Sequence, residues 1–209
     1  VASSIDGAVA MKSGESQWIT GPEARADVQR LRARSGAILT GIGTVLADDP
    51  ALTVRSKVLD SGDRQPIRAV LDSRLRMPLS AGMLAMPGQT ILYCTDDARR
   101  QALLDAGAHV VCVQPAAGVL DVRQVLADLA RREVNDLLVE AGPSVSGHLL
   151  SCGLVDELVI YQAPHIMGSE TKPMFRTPGW KRLADRRALD IVDLRRVGSD
   201  IRITARPKD

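Results

Sequence analysis

Three short stretches carry residue types at spacings that suit chemistry on phosphate-bearing small molecules. "LVEAGPSVSGHLL" (138–150) ends an apolar run at Glu140, turns through Gly142-Pro143 and opens a helical pattern with Ser144 and Ser146. A helix start offers unpaired N–H groups and a partial positive charge, which suits a phosphate. Gly142 permits close backbone approach, and Gly147 lets the helix lie near a ligand or the sheet. "GIGTVLADDPALTVR" (41–55) has a second glycine-rich turn, Gly41 and Gly43, and a short helix closed by Asp48-Asp49-Pro50. Asp and Pro are common turn residues, but an Asp at a strand-end cleft can act as a general acid and Arg55 as a phosphate clamp. "LDSRLR" (71–76) puts Asp72, Ser73 and Arg74 after a strand, as a plain surface turn or as a seat for a further phosphate, such as the one that separates NADP from NAD.

Read together, the two glycine-rich corners and their nearby arginines predict two phosphate-bearing ligands in one cleft. The dinucleotide pattern Gly-x-Gly-x-x-Gly is absent, so the corners stand on helix-terminus physics and not on that motif. A fourth stretch, "GESQWIT" (14–20), sets Trp18 in a loop-like setting, one of two Trp in a chain with 2% aromatics. Nothing in its own pattern, neither helical stripe nor strand alternation, demands an indole there. No Ser-His-Asp or Cys-His arrangement and no metal-ligand spacing occurs among Cys94, Cys112, Cys152, His109, His148 and His165. Catalysis therefore falls to an organic cofactor, with the protein supplying binding and orientation.

The scaffold for these corners is legible in the alternation of β-branched runs with amphipathic stretches. "AILTG" (37–41), "IRAVLD" (67–72), "TILYCT" (90–95), "HVVCV" (109–113) and "DLLVEAG" (136–142) predict strands, most of them covered on both faces. "PEARADVQRLRARS" (22–35), "DDARRQALLDAG" (96–107) and "DVRQVLADLARREV" (121–134) predict helices between them. "DELVIYQAPHIMG" (156–168) predicts a long strand running into a loop, and "LDIVDLRRVGSDIRITARP" an antiparallel hairpin turning at Gly198-Ser199-Asp200. "RSKVLDSGDRQP" (55–66) reads as an exposed loop. The whole predicts one α/β domain with a mostly parallel mixed sheet flanked by helices.

At 209 residues, 45% hydrophobic and 25% charged, the chain has the composition of a soluble globular protein. The net charge of +2 is dispersed, and with so few aromatics a nucleic-acid platform is not expected. No apolar run reaches membrane-span length. Three scattered cysteines, of which Cys94 and Cys112 sit in apolar runs as small buried hydrophobes, fit a reducing cytoplasm. The His-x-Glu and Pro-Cys-x-x-Cys signature of a zinc deaminase is absent. A start at Val1, already inside a strand-like run, predicts a piece of a longer polypeptide.

"SSIDGAVAMKSGESQWITGPEARADVQRLRARSGAILTGIGTVLADDPALTVR" (3–55) resembles the reductase domain of bacterial bifunctional riboflavin-biosynthesis deaminase/reductases, and "PIRAVLDS", "VEAGPSVSGHLLSCGLVDELVIYQAPHIMG" and the final hairpin match as well. The resemblance covers nearly the whole chain. It implies a dihydrofolate-reductase-like fold, a homodimer, NADPH as hydride donor and a phosphoribosylamino-pyrimidine substrate, reduced at the sugar C1′ through the ring-opened imine. It also implies that a zinc deaminase domain precedes this one.

Carried over on matching blocks, Ser16, Arg32, Leu52 and Arg55 fall on the substrate side, the arginines at its phosphate, and Glu140 at the pyrimidine or sugar. Ala2, Trp18, Thr44, Asp48 and Ser73 fall on the cofactor side, with Gly142, Pro143, Ser144, Val145, Ser146, Gly147 and His148 around the pyrophosphate. Asp48 is the expected acid and Glu140 the orienting carboxylate. The family's usual lysine would fall just before Val1, outside this sequence. The "GESQWIT" block resembles the bacterial enzymes more than the archaeal and fungal reductases, which implies the deaminated uracil as substrate. A reductase of the undeaminated pyrimidine, a pterin reductase and a silent NADP-binding module are the alternatives; Arg32 and Arg55 speak against a pterin, which has no phosphate.

Overall fold

The computed structural model describes residues 1–55, 64–116 and 118–208. Most of the loop read at 55–66 thus lies outside the described residues. In chain order come β1 (Ala2–Ser4), β2 (Ala8–Met11), α1 (Pro22–Arg34), β3 (Ala37–Gly41), α2 (Ile42–Asp48) and β4 (Ile67–Leu71). Next are β5 (Thr90–Cys94), α3 (Arg100–Asp105), β6 (His109–Cys112), β7 (Pro115–Ala116), β8 (Val119–Leu120) and α4 (Val122–Arg131). The series ends with β9 (Leu137–Val139), α5 (Pro143–Ser151), β10 (Leu158–Ala163), β11 (Thr171–Pro173), β12 (Leu189–Val197) and β13 (Asp200–Pro207). Chain contacts divide these into two compact units, residues 29–141 and residues 1–28 with 142–209.

The 29–141 unit is built on a five-stranded sheet in the order β6-β5-β4-β3-β9, parallel throughout. Every residue of β3 and β5 is buried, as are the three central residues of β4. That is why these runs are continuously apolar: a strand covered on both faces has no solvent side to mark with polar residues. Ile38, Val70 and Leu92 meet Leu75, Met77, Met83, Leu103 and Val110 in the core. α4 starts where Asp121 caps it, its carboxylate accepting the Arg123 N–H at 2.9 Å, and it buries Val122, Val125 and Leu129. Its Asp128 receives the buried Tyr93 hydroxyl at 2.9 Å and Arg132 Nε at 2.8 Å. Burial and the Asp128 carboxylate together push the Tyr93 hydroxyl above its ordinary pKa.

Two local departures from the sequence pattern have plain causes. α3 begins at Arg100 and not at the Asp96-Asp97 pair, because the Asp96 carboxylate takes the Ala98 N–H at 3.0 Å and holds a turn there. A short antiparallel pair, β7 with β8, has no strand alternation in the sequence to mark it.

The other unit carries a four-stranded sheet in the order β1-β10-β13-β12, with β1 parallel to β10 and the remaining pairs antiparallel. β12 and β13 are the expected hairpin, closed by the two-residue loop Gly198-Ser199 with Gly198 at φ +64°. A second, two-stranded sheet pairs β2 with β11. Buried Asp27, in the first half of α1, accepts hydrogen bonds from the Tyr161 hydroxyl at 2.7 Å and Arg202 Nη1 at 3.1 Å. The expected α/β architecture, a parallel sheet with helices plus a C-terminal hairpin, is present.

Candidate active site

The candidate residues are distributed over both units. In the 29–141 unit Glu140 is the first residue beyond β9, its N–H bound to the Leu39 carbonyl at 2.9 Å. Arg32, in the last turn of α1, presents Nε to Glu140 Oε1 and Nη2 to Oε2, each at 2.7 Å. Its Nη1 donates to the Thr53 carbonyl at 3.0 Å. Arg32 is 9% exposed, so this fork–fork pair works with little competition from water. The pairing bears on the expectation that Arg32 clamps a phosphate: all three of its nitrogens already have partners, and what they do is fix the Glu140 carboxylate.

α2 follows β3 directly and carries Thr44 half-buried and Asp48 exposed at its last position. Asp49 caps the helix in the left-handed region at φ 38°, and its Oδ1 takes the Gly82 N–H at 2.9 Å. The adjacent carboxylates of the Asp-Asp-Pro turn thus separate: Asp49 is used structurally, and Asp48 accepts no hydrogen bond or ion pair from the described residues. Leu52, buried at 2% exposure, has φ +45°, an uncommon conformation for a branched side chain that strains the turn between α2 and Val54. The Arg55 N–H binds Gln29 Oε1 at 2.8 Å and its side chain is exposed. A Cβ on Gly43 would meet nothing within 4 Å, so the corner is open there.

At the carboxyl end of β4, Ser73 accepts at its carbonyl the Thr95 and Asp96 N–H groups, each at 3.1 Å, and leaves its side chain exposed beside exposed Arg74. Fully buried Asp72 holds the turn by accepting the Met77 N–H at 2.8 Å; its Oδ1 has no partner among the described residues.

In the other unit, α5 begins at Pro143 with Gly142 as N-cap and no side-chain cap. The Ser146 N–H closes the first turn onto the Gly142 carbonyl at 3.2 Å, while the Ser144 and Val145 amides have no partner among the described residues. Such a turn, with exposed Ser144 beside it, presents the kind of unpaired N–H groups that can hold an anion. Gly147 has a different reason to be glycine than ligand approach: a Cβ there would lie 2.0 Å from the Arg176 carbonyl oxygen. His148 is half-buried and its Nε2 lies 3.7 Å from Cys152 Sγ.

Trp18 is 68% exposed, so it does not serve as a buried cover for the sheet. The Arg25 guanidinium sits 4.7 Å from its ring centroid and also donates to the Thr20 carbonyl at 2.6 Å. Sequence reasoning missed Arg25 as the residue that steadies the indole; a cation in the first helix after a lone Trp was the available signal. Ser16 is half-buried and Ala2 exposed. Among the described residues no three His, Cys, Asp or Glu side chains are placed to share a metal.

The family described as RibD C-terminal domain matches residues 1–203. Escherichia coli riboflavin biosynthesis protein RibD is 42% identical over 95% of this chain and 56% of its own length. A Buchnera aphidicola protein named 5-amino-6-(5-phosphoribosylamino)uracil reductase is 32% identical over 95% of this chain and 99% of its own length. The solved structure of Acinetobacter baumannii RibD superposes with a TM-score of 0.89 at 38% identity, covering 100% of this chain and 56% of that one. The chain therefore spans about half the length of the RibD proteins it matches. By this match across nearly all its residues, the chain belongs to the RibD C-terminal domain family.

Proposed function

We propose that this chain is a reductase domain that reduces the ribosyl C1′ of 5-amino-6-(5-phosphoribosylamino)uracil, with NADPH as cofactor, to the ribitylamino product of riboflavin biosynthesis. The observation that carries this reading is the Glu140 carboxylate, fixed by Arg32 at the carboxyl end of a parallel strand, where α/β sheets collect ligands. The full-length match to a protein named for that reduction agrees with it.

NADPH supplies the hydride; the protein binds, orients and moves protons. The free Ser144 and Val145 amides and the Ser144 hydroxyl suit the pyrophosphate. Exposed Ser73 and Arg74 suit the 2′-phosphate, Trp18 the nicotinamide half, and Ala2 and Thr44 the remaining cofactor contacts. Arg55, whose guanidinium is exposed, takes the substrate phosphate in place of committed Arg32, and Ser16 and Leu52 line the substrate. Glu140 accepts hydrogen bonds from the pyrimidine N–H or sugar hydroxyls. Asp48 delivers the proton that accompanies C1′ reduction.

The homodimer is part of the same reading. β12 is an edge strand of nine residues that leaves Ile191, Val192 and Leu194 more than half exposed, an apolar edge that a second copy would cover. Sedimentation equilibrium returning the monomer mass at micromolar concentration would remove this element.

The test of function is the loss of NADPH absorbance with 5-amino-6-(5-phosphoribosylamino)uracil, run beside the undeaminated pyrimidine and dihydrofolate. Oxidation with the uracil alone is the expected result. Oxidation with dihydrofolate instead would replace the reading with a pterin reductase.

A further inference from the structure

Cys94 and Cys112 occupy paired positions on the neighbouring parallel strands β5 and β6. Paired positions send their side chains to the same face of a sheet, and here the two Sγ atoms lie 3.2 Å apart with both cysteines free. Their environments differ. Cys94 is fully buried in the core, whereas Cys112, on the edge strand, is exposed. Arg100, the first residue of α3, places Nη1 3.6 Å from Cys112 Sγ and offers the sulfur a hydrogen bond. An exposed thiol beside a guanidinium, with a second thiol directly behind it, is the layout of an attacking and a resolving cysteine.

We propose that Cys94 and Cys112 form an oxidation site that a hydroperoxide converts to an intrachain disulfide across β5 and β6. The Cys112 thiolate attacks the terminal peroxide oxygen; the O–O bond breaks, the alkoxide leaves and takes up a proton as alcohol, and Cys112 becomes a sulfenic acid. Cys94 sulfur then attacks Cys112 sulfur; the S–O bond breaks, and hydroxide leaves as water with the Cys94 proton. Two thiols lose two electrons in total, and one hydroperoxide is reduced to alcohol and water.

The geometry accommodates the product. Adjacent strands run about 4.8 Å apart, inside the roughly 4.4–6.8 Å that disulfides span between Cα atoms. Burial pushes the Cys94 thiol above its ordinary pKa, which leaves the first attack to exposed Cys112. Cys152, whose sulfur lies near the His148 ring, belongs to the other unit and is replaced in the test so that only the Cys94 and Cys112 thiols report.

The experiment is hydroperoxide treatment of the folded chain in a Cys152→Ser background, followed by intact mass, thiol titration and peptide mapping. The expected result is loss of the mass of two hydrogens and of both thiols, a cross-linked pair of peptides containing Cys94 and Cys112, and full recovery with a dithiol. With Cys94→Ser added, a sulfenic acid trappable by a cyclic diketone should accumulate on Cys112. Stepwise gain of oxygen on Cys112 with Cys94 still present, disulfides only between molecules, or thiols that survive oxidant in the folded state would each overturn the proposal.

Discussion

Arg32 and Glu140 face each other through two parallel hydrogen bonds of 2.7 Å. The pair joins the last turn of α1 to the carboxyl end of β9, and the third guanidinium nitrogen ties it to the backbone at Thr53. A carboxylate gripped in this way can hold one orientation toward substrate, because rotating it would break both contacts at once. On the proposed function, Arg32 is then a positioning residue and Glu140 the one that would touch substrate.

Replacing Arg32 with lysine should separate those roles. A lysine keeps the charge but offers no planar fork, so Glu140 loses its fixed plane. A misplaced group near the reacting atoms can cost about 100-fold in rate, and we expect kcat of Arg32→Lys to fall on that order with KM changed by much less. A large rise in KM for the phosphorylated substrate at unchanged kcat would show instead that Arg32 holds the phosphate.

Two glycines with opposite surroundings give a paired prediction. Ala at 147 drives its Cβ into the Arg176 backbone, which cannot rotate away as a side chain would. Overpacking of this kind costs about 1–3 kcal/mol, and urea unfolding of Gly147→Ala should show at least that loss. Gly43 lies inside α2 with open space around it, so Gly43→Ala should leave stability unchanged or raise it by about 0.5–1 kcal/mol. If the Gly43 corner receives a ligand phosphate, the same variant binds that ligand more weakly, a readout independent of folding.

Much of this was legible in the sequence, and what was not has a common cause. β3 could be read directly because "AILTG" is buried at every position. α4 could be read from the helical spacing of Val122, Val125 and Leu129, and the final hairpin from Gly198. The partner of Arg32 stands 108 residues away, and nothing local distinguishes an arginine that meets a carboxylate from one that meets a phosphate. Gly147 announced a close approach but not what approaches. Cys94 and Cys112 read as separate small hydrophobes because the register of two parallel strands is set by the connection between them, not by either strand alone.

The Asp27 network should behave as a buried ion pair with a neutral attachment. Asp27 and Arg202 have side chains only 12% and 10% exposed. Asp27→Ala strands the Arg202 charge, and removing one partner of a buried pair costs about 3–5 kcal/mol. Tyr161→Phe removes one hydrogen bond and should cost about 1 kcal/mol. Equal losses in the two variants, measured by urea unfolding, would mean that Arg202 is solvated once Asp27 is gone.

Acid should reveal Asp6. Its carboxylate accepts the Ser4 hydroxyl and the Met167 and Gly168 N–H groups, anchoring the turn after β1 to the loop after β10. These bonds, the Ser4 hydroxyl foremost, hold its pKa down at about 2 from 3.8. A carboxyl lowered in the folded state adds stability that is complete above its unfolded pKa and is lost as pH falls through the folded value. The contribution of Asp6 is therefore present above pH 3.8 and gone below about 2. Asn cannot lose a charge it never had, so Asp6→Asn should be less stable than the parent at neutral pH. The two unfolding curves should converge as the solution is acidified across that window. A stability gap that stays constant from neutral pH to the acid limit would mean that the Asp6 carboxylate gains nothing from its three donors as a charged group.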